Sequence, residues 1–522
     1  MTHTRKGAMG KKKITISVVG AGASGTILVN RLVEKFSRVS GVRIRIILIE
    51  KSGRFGPGLA YSTPLESHII NMRANTMGGK AGQADHFSRW MTGQETSLQR
   101  TYPGFSAAKD EYPPRRIYGR YLEDFFREAL ERADQSHIEI EPLKGEALDL
   151  VEKRSGLDLV LGDGSTLASD VIILAPGNFP PTLFQELRGL EGYLHYPWPV
   201  SNVIENISPD RPVSVLGSGL SAIDTLFTLL ENGHSEKITF LSRNGFLPKV
   251  QGRPSDHTLK FLRQDHIDNL LREEGSRTLS LDRMAQLFYR EIEEAEGKSI
   301  DWLHLFNPTG AVHQILGSDI EKARKGPLPY QGVLSATEPV IGRLWNTLST
   351  EDQCRFDRDF KSFWTVYRHP MPLVNAQKVL DVLKTGQLDV LSGCGCIRSC
   401  GPGRGFEIDI ETRFNIPFLL KTPYLINATG QGLDVMRFRD PFIQNLLLRG
   451  FIHPHPRGGI RVDFHTSQVI DQGENRRPDI FALGEITRGV HFFTNGVTPN
   501  VLAADRITDQ ILKGITGPPE PA

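Results

Sequence analysis

The 522-residue chain is poor in cysteine, has no long apolar run and carries almost no net charge. Four cysteines cannot staple a chain of this length, so a disulfide framework is excluded and a reducing, cytoplasmic setting is expected. The apolar runs, such as Val171-Ile172-Ile173-Leu174-Ala175, are strand-sized and far below the roughly 18 residues of a spanning helix, so no membrane partner is expected. Lys and Arg number 62 against 60 Asp and Glu, a net charge of +2, which provides no general field for a phosphate backbone. Nucleic acid is therefore not expected as a partner. HExxH, glycine-framed serine motifs and complete zinc sets are missing too. Cys394, Cys396 and Cys400 crowd together, but zinc takes four ligands and Cys354 lies far upstream, so this segment reads as a loop beside a strand and no metal is expected.

What is present is globular, with 39% apolar and 23% charged residues and room for two to four domains at roughly 100–200 residues each. The basic start, through Lys11-Lys12-Lys13, reads as a tail followed by a strand, because the next apolar stretch contains Gly20, Gly22 and Gly25 and runs into Asn30 and Arg31.

The residues Ile14 to Val19 alternate and branch like a buried strand, and Gly20-Ala21-Gly22-Ala23-Ser24-Gly25 then opens a helical stretch. In this strand-to-helix context GxGxxG has a mechanism. The first glycine permits a tight turn, the second lets a pyrophosphate approach the backbone, and the third lets helix and strand pack closely. A second strand ends in Glu50, whose carboxylate suits the hydroxyls of an adenosine ribose, although it lies thirty residues after Gly20 rather than the usual 20 or so.

The pattern returns after a short strand ending at Leu216, as Gly217-Ser218-Gly219-Leu220-Ser221-Ala222 followed by a helix through Leu226 and Leu230. The next strand ends in Ser242-Arg243-Asn244, with arginine where an NAD site places an acid. Arg243 either meets a 2′-phosphate, which favours NADPH, or is a solvated surface side chain. Two Rossmann units suggest two dinucleotides, and the commonest chemistry of such a pair is hydride transfer from nicotinamide to flavin.

In these motifs the chain resembles the two-dinucleotide-binding flavoprotein superfamily. Within it, the similarity is to bacterial FAD-NAD(P)-binding proteins, distant relatives of flavin-dependent N-hydroxylating and other class B monooxygenases. Gly56-Pro57-Gly58-Leu59-Ala60-Tyr61 and His68-Ile69-Ile70-Asn71-Met72-Arg73 look like that family's segment after the ribose acid. Ala175-Pro176-Gly177, Asn427-Ala428-Thr429-Gly430 and Phe481-Ala482-Leu483-Gly484-Glu485 follow in family order. The resemblance implies that Thr429 and Gly430 mark the return to the FAD domain, that Gly484 and Glu485 lie by the flavin's ribityl and phosphate region, and that Asn71 and Arg73 run near the flavin ring. Thr494-Asn495-Gly496 leads into a helix expected near Pro499, which makes Asn495 and Gly496 either flavin neighbours or part of an ordinary surface cap. The chain departs from the F-x-G-x-x-x-H that flavin monooxygenases of amines, sulfides and ketones often carry between their nucleotide domains, since Leu190-Glu191-Gly192-Tyr193-Leu194-His195 lacks the aromatic and is one residue short; His195 reads as a hinge, a nicotinamide contact or linker packing. No cysteine precedes Cys354, so a thiol relay is not expected.

The expected fold is α/β, with two Rossmann-like dinucleotide-binding domains and a helical insertion. Residues 1–185 would begin the FAD domain, 186–250 form the NADPH domain, 251–384 form the insertion and substrate region, and 385–522 return to the FAD domain. Helices are expected at 281–295, 338–348 and 350–363. Within the insertion, Arg368 is a candidate carboxylate clamp or a salt-bridge partner, His369 a catalytic or a merely satisfied polar group, and Trp364 a core residue. The leading expectation is an FAD enzyme that oxidises NADPH and transfers oxygen from O2 to a small amine or amino acid. A flavoprotein passing electrons to another acceptor and a non-catalytic FAD-binding sensor are the competing readings. Nothing in the sequence specifies the oligomeric state.

Overall fold

The computed structural model describes residues 12–108, 112–154, 156–306, 308–412 and 416–516, so the basic start through Lys11 lies outside the described residues. Two mainly parallel sheets organise the chain. In the first, the strand Lys12–Val19 lies between Val42–Glu50 and Val171–Leu174. Ile138–Lys144 extends one side, and Arg476–Ala482 with the antiparallel edge Gln468–Ile470 extends the other. Strand periodicity explains why both faces are covered. Ile44, Ile46 and Leu48 join Ile16, Val18 and the helix Ala23–Phe36 in one core. Ile47 and Ile49 point the other way and join Ile172, Leu174 and Ile480 in a second core.

The second sheet runs Leu388–Ser392, Ile238–Ser242, Val213–Leu216, Tyr424–Asn427 and Tyr193–Leu194, with every pairing parallel. Two of these strands come from the segment expected to have rejoined the first unit, so the boundary placed at 385 falls inside the second sheet, and the chain returns only after Asn427. The cause is an excursion of three antiparallel strands, Cys394–Ser399, Phe406–Glu411 and Pro417–Thr422, inserted between two parallel strands of one sheet. Cys394 and Cys396 thus lie in a strand, not the loop expected, with Cys400 just past its end, and the three thiols are free.

Residues 251–384 are mainly helical. Leu281–Glu296 matches the expected 281–295, capped by the Ser280 hydroxyl, which accepts the Arg283 N–H, and ended by Gly297 at φ 67°. The stretch 338–348 shrinks to Ile341–Asn346, and 350–363 extends through a π-turn at Phe356–Phe360 into Lys361–Arg368. Leu373–Lys384 packs Ala376, Val379 and Leu380 against Val213, Val215 and Ile238 of the second sheet. No helix among the described residues is long and apolar enough to cross a membrane.

Candidate nucleotide and substrate sites

The first glycine turn is built by close approach. Gly20 sits at φ 105°, and a Cβ there would stand 2.1 Å from the carbonyl oxygen of Ala175, which follows the adjacent strand. A Cβ on Gly25 would lie 2.0 Å from the Gly20 oxygen. Gly22 is different, because a Cβ there meets only the Gly58 backbone at 3.4 Å, and Gly22 caps the helix Ala23–Phe36 with no side chain bonded to the helix end. An uncapped end with room beside it suits a pyrophosphate. Glu50 stands at the mouth of the turn, where its carboxylate accepts the Ala21 N–H at 3.1 Å and the Ser52 N–H and hydroxyl at 3.0 and 2.8 Å. The Gly56 N–H donates to the Ala21 oxygen at 2.8 Å, which lays the Gly56-Pro57-Gly58 segment over the turn.

The C-terminal landmarks converge on the same place. Gly484, at φ 83°, faces the Ser24 side chain, and a Cβ on it would be 3.4 Å from Ser24 Oγ. Asn500 donates to the Gly496 and Thr494 oxygens at 2.7 and 3.3 Å, while its Oδ1 is buried without a partner beside Gly484. Such an orphan acceptor fits a hydroxyl-bearing ligand. Glu485 is committed elsewhere: it is buried, accepts from Arg488 at 2.8 Å and from the Thr494 hydroxyl at 2.8 Å, and so shapes the 494–496 loop. Asn495 is exposed on that loop, and the terminal helix begins at Val497, two residues before the expected start.

The second turn repeats the design. Gly217, at φ 113°, would place a Cβ 2.6 Å from the Ala428 oxygen, as Gly20 does with Ala175. Gly219 caps the helix Leu220–Glu231 without any side-chain bond, and a Cβ there would meet nothing within 4 Å. Ala222, fully buried, takes the place of the third glycine. Ser218 donates to the Phe246 oxygen at 2.6 Å, and the Ser221 carbonyl accepts the Thr225 hydroxyl, so Ser218 ties the turn to the loop after the next strand. Thr429 donates through its N–H and hydroxyl to Asn427 Oδ1, and Gly430 at φ 101° has open space around it. Arg243 is exposed at the end of Ile238–Ser242. His195 lies 2.8 Å from the Pro181 oxygen, and burial lowers its pKa, so it packs the linker.

The insertion supplies a third polar site. The Arg73 guanidinium donates to the Gly252 oxygen at 3.0 Å and lies 5.6 Å from the Tyr112 ring, while Asn71 is half-buried two residues earlier. The Gln251 N–H donates to the Met371 oxygen, bringing this segment beside His369-Pro370-Met371. His369 Nε2 is buried without a partner, and burial, reinforced by the Arg368 and Arg488 charges, holds its pKa near 3, so the imidazole is neutral. Arg368 pairs with Glu338 at 3.1 Å and lies 4.2 Å from the Phe493 ring, both acid and base being largely buried. Its charge is thus already balanced, which matches the salt-bridge alternative of the two readings that the sequence left open for Arg368. Glu338 was missed by sequence reasoning, since nothing local marks an acid thirty residues upstream as its partner. Trp364 packs against Phe288, Phe356 and Phe492 as a core residue.

The family model described as FAD-NAD(P)-binding matches residues 17–179. The match takes in the first glycine turn, Glu50 and the strand Val171–Leu174. Among characterised proteins, the chain is 25% identical to an L-aspartate N-monooxygenase (nitrosuccinate-forming) of Streptomyces cremeus, over 75% of this chain and 74% of that one. It is 28% identical to nitrosuccinic acid synthase of Aspergillus oryzae over 41% of this chain, spanning 32% of that relative's length. Among solved structures, L-lysine 6-monooxygenase from Pseudomonas syringae superposes with a TM-score of 0.59 at 13% identity, covering 96% of this chain and 99% of that one. The ornithine N-hydroxylase of Kutzneria sp. 744, solved with reduced FAD, NADP+ and L-ornithine, gives 0.54 at 12% identity, covering 96% and 99%. At these identities the structural likeness concerns the fold, and the expected arrangement of two Rossmann-like units with a helical insertion is borne out.

Proposed function

We propose that the protein is a cytoplasmic, NADPH-dependent FAD monooxygenase that oxygenates the amine of a small amino acid. The observation that carries this reading is the doubled cradle: two helix ends without side-chain caps, at Gly22 and Gly219, each backed by a glycine pressed on the carbonyl that follows a neighbouring strand, beside an insertion whose Arg368–Glu338 pair and His369 lie against Phe493. The similarity to an L-aspartate N-monooxygenase supports an amino-acid substrate and makes L-aspartate the first compound to assay. FAD, when bound, supplies hydride acceptance and oxygen activation. In balance, NADPH, a proton, O2 and a primary amine give NADP+, water and a hydroxylamine, with one oxygen atom in the new N–O bond and the other in water.

The chain's own residues supply the binding. The amides after Gly22 and Gly219 hold pyrophosphates, Glu50 accepts ribose hydroxyls, Asn500 Oδ1 accepts a hydroxyl near Gly484, and Arg243 meets the 2′-phosphate. The neutral His369, with an unpartnered ring nitrogen, is suited to exchange a hydrogen bond with the substrate, while a pKa near 3 keeps it from holding a proton. Asn71 and Arg73 are assigned to the same pocket, Arg73 through its bond to the Gly252 oxygen. The test is to reduce the yellow protein anaerobically with NADPH, admit oxygen with L-aspartate or other amino acids, and quantify N-oxygenated product by mass spectrometry. One product per NADPH is expected. Peroxide without product would favour electron transfer to another acceptor, and a flavin indifferent to both nicotinamides would overturn the redox reading.

A further inference from the structure

We propose that Lys361, on the helical insertion, is the second cation of the 2′-phosphate site, so that the insertion and the second Rossmann unit select NADPH together. The inference rests on the NADPH reading above. Its starting point is the turn after Ile238–Ser242, which the Gly245 N–H closes onto Ser242 Oγ at 3.0 Å. Asn244 Nδ2 then donates to Ser362 Oγ at 3.1 Å, and the rings of Phe246 and Phe363 pack 5.6 Å apart. These two contacts clip residues 244–246 onto residues 362–363 and bring Lys361 to the turn that carries Arg243.

The charges there are out of balance. Lys361, half-buried, has Asp357 at 3.4 Å, and Asp357 is shared with Arg457 at 3.2 Å. Arg243 has no acid within 4 Å among the described residues. Arg488 is nearby but is compensated by Glu485. Lys361 and Arg457 therefore share one carboxylate, and Arg243, close enough to act on Lys361, adds a cation with no acid of its own. Burial lowers the Lys361 pKa, and the Arg488 and Arg243 charges lower it further against the pull of Asp357.

Like charges gathered at a partly desolvated place cost free energy in the unliganded protein, and an incoming anion offsets that cost. The strand end in a Rossmann unit is where the adenosine ribose arrives, and a phosphate monoester there carries a charge of roughly −1.5 to −2 at neutral pH. NADH lacks that group. Arg243 offers a planar fork for two phosphate oxygens, and Lys361 a point charge from the opposite wall.

Calorimetric titration of the FAD-loaded protein with 2′,5′-ADP and with 5′-AMP tests this without turnover. Lys361→Met is expected to weaken 2′,5′-ADP by about tenfold to a hundredfold, the usual range for a lost charge-assisted bond, while leaving 5′-AMP affinity and flavin content unchanged. Lys361→Arg should recover most of the loss, which a folding defect would not allow. If Lys361→Met binds 2′,5′-ADP like wild type while Arg243→Ala does not, the Lys361 assignment fails and the NADPH reading survives. If the variant changes only the KM for the amino acid, Lys361 belongs to the substrate site and the assignment fails. If wild type itself binds 2′,5′-ADP no better than 5′-AMP, the NADPH reading falls and the inference with it.

Discussion

Asp224 Oδ2 lies 2.8 Å from the guanidinium of Arg115, with the two side chains 9% and 17% exposed. Asp224 belongs to Leu220–Glu231, the helix whose start forms the second cradle, and Arg115 opens Arg115–Asp134 in the first unit. The Asp224 carbonyl oxygen also accepts from His68 Nε2 at 2.9 Å, the Thr228 hydroxyl lies 3.1 Å from that same nitrogen, and the Ser67 N–H donates to Glu231 at 3.2 Å. Trp198 covers the knot, 5.3 Å from the His68 ring and 5.7 Å from the Arg115 guanidinium. The two cradles are therefore held in relation to one another by a polar knot at the root of the second helix.

Asp224→Ala leaves the Arg115 charge largely buried without its acid. Removing one member of such a pair costs about 3–5 kcal/mol, and the urea midpoint should fall accordingly. Asp224→Asn retains a hydrogen-bonding side chain and should lose less. An unfolding curve for Asp224→Ala that overlays wild type would show the knot to be dispensable.

The glycines separate folding from binding. Gly20→Ala drives a Cβ to 2.1 Å from backbone oxygen and should abolish soluble, folded protein. Gly219→Val meets open space, so that variant should fold and keep its flavin yet lose NADPH affinity by at least about tenfold, because the branched side chain stands where the pyrophosphate approaches. Gly22→Val should lose the flavin itself. Flavin-to-protein ratios from visible spectra, with NADPH titration of the yellow variants, read all three outcomes; normal NADPH binding by Gly219→Val would remove the second cradle.

The turns were legible because their demands are local: a strand, a glycine forced to positive φ and a helix start lie within ten residues. The order of Ala175-Pro176-Gly177 and Ala428-Thr429-Gly430 was legible too, but not that Ala175 and Ala428 provide the carbonyls against which Gly20 and Gly217 press. Strand membership across long loops was not. Leu388–Ser392 has the same apolar pattern whichever sheet it joins, and only its register with Ile238–Ser242 decides. Charge balance stayed open for the same reason: Arg368 read as a clamp or as a salt-bridge partner, and Glu338, its partner, is distant in sequence and close only after the insertion folds.

Four histidines make the fold acid-sensitive. Burial is the leading cause that holds His369 and His491 near pKa 3 and His86 and His455 near 4, all below the ordinary histidine value of about 6.5. The unfolded chain takes up these protons first, so the stability they contribute is complete above about pH 6.5 and is lost as the pH falls towards the folded values. Once below about pH 6.5, each should cost on the order of 1.4 kcal/mol per pH unit. Urea midpoints measured at about pH 7.5, 6.5 and 5.5 should be level across the first interval and drop across the second. A level profile throughout would mean that these imidazoles are accessible to solvent.

Glu338 and Arg368 provide the last test, because the pair sits against Phe493 beside the loop that leads to Asn500. Glu338→Ala strands a buried guanidinium and should cost about 3 kcal/mol or more, whereas Glu338→Ala combined with Arg368→Met removes both charges and should recover a large part of that loss. If the pair only builds the wall, the recovered double variant should also recover amino-acid turnover. If Arg368 exchanges Glu338 for a substrate carboxylate during binding, the double variant will be stable yet show a KM raised by about tenfold or more with kcat less affected, since a lost charge-assisted contact weakens binding in ground and transition states alike. Thermal unfolding and steady-state kinetics on the same preparations therefore separate the structural ion pair from a substrate-gated one.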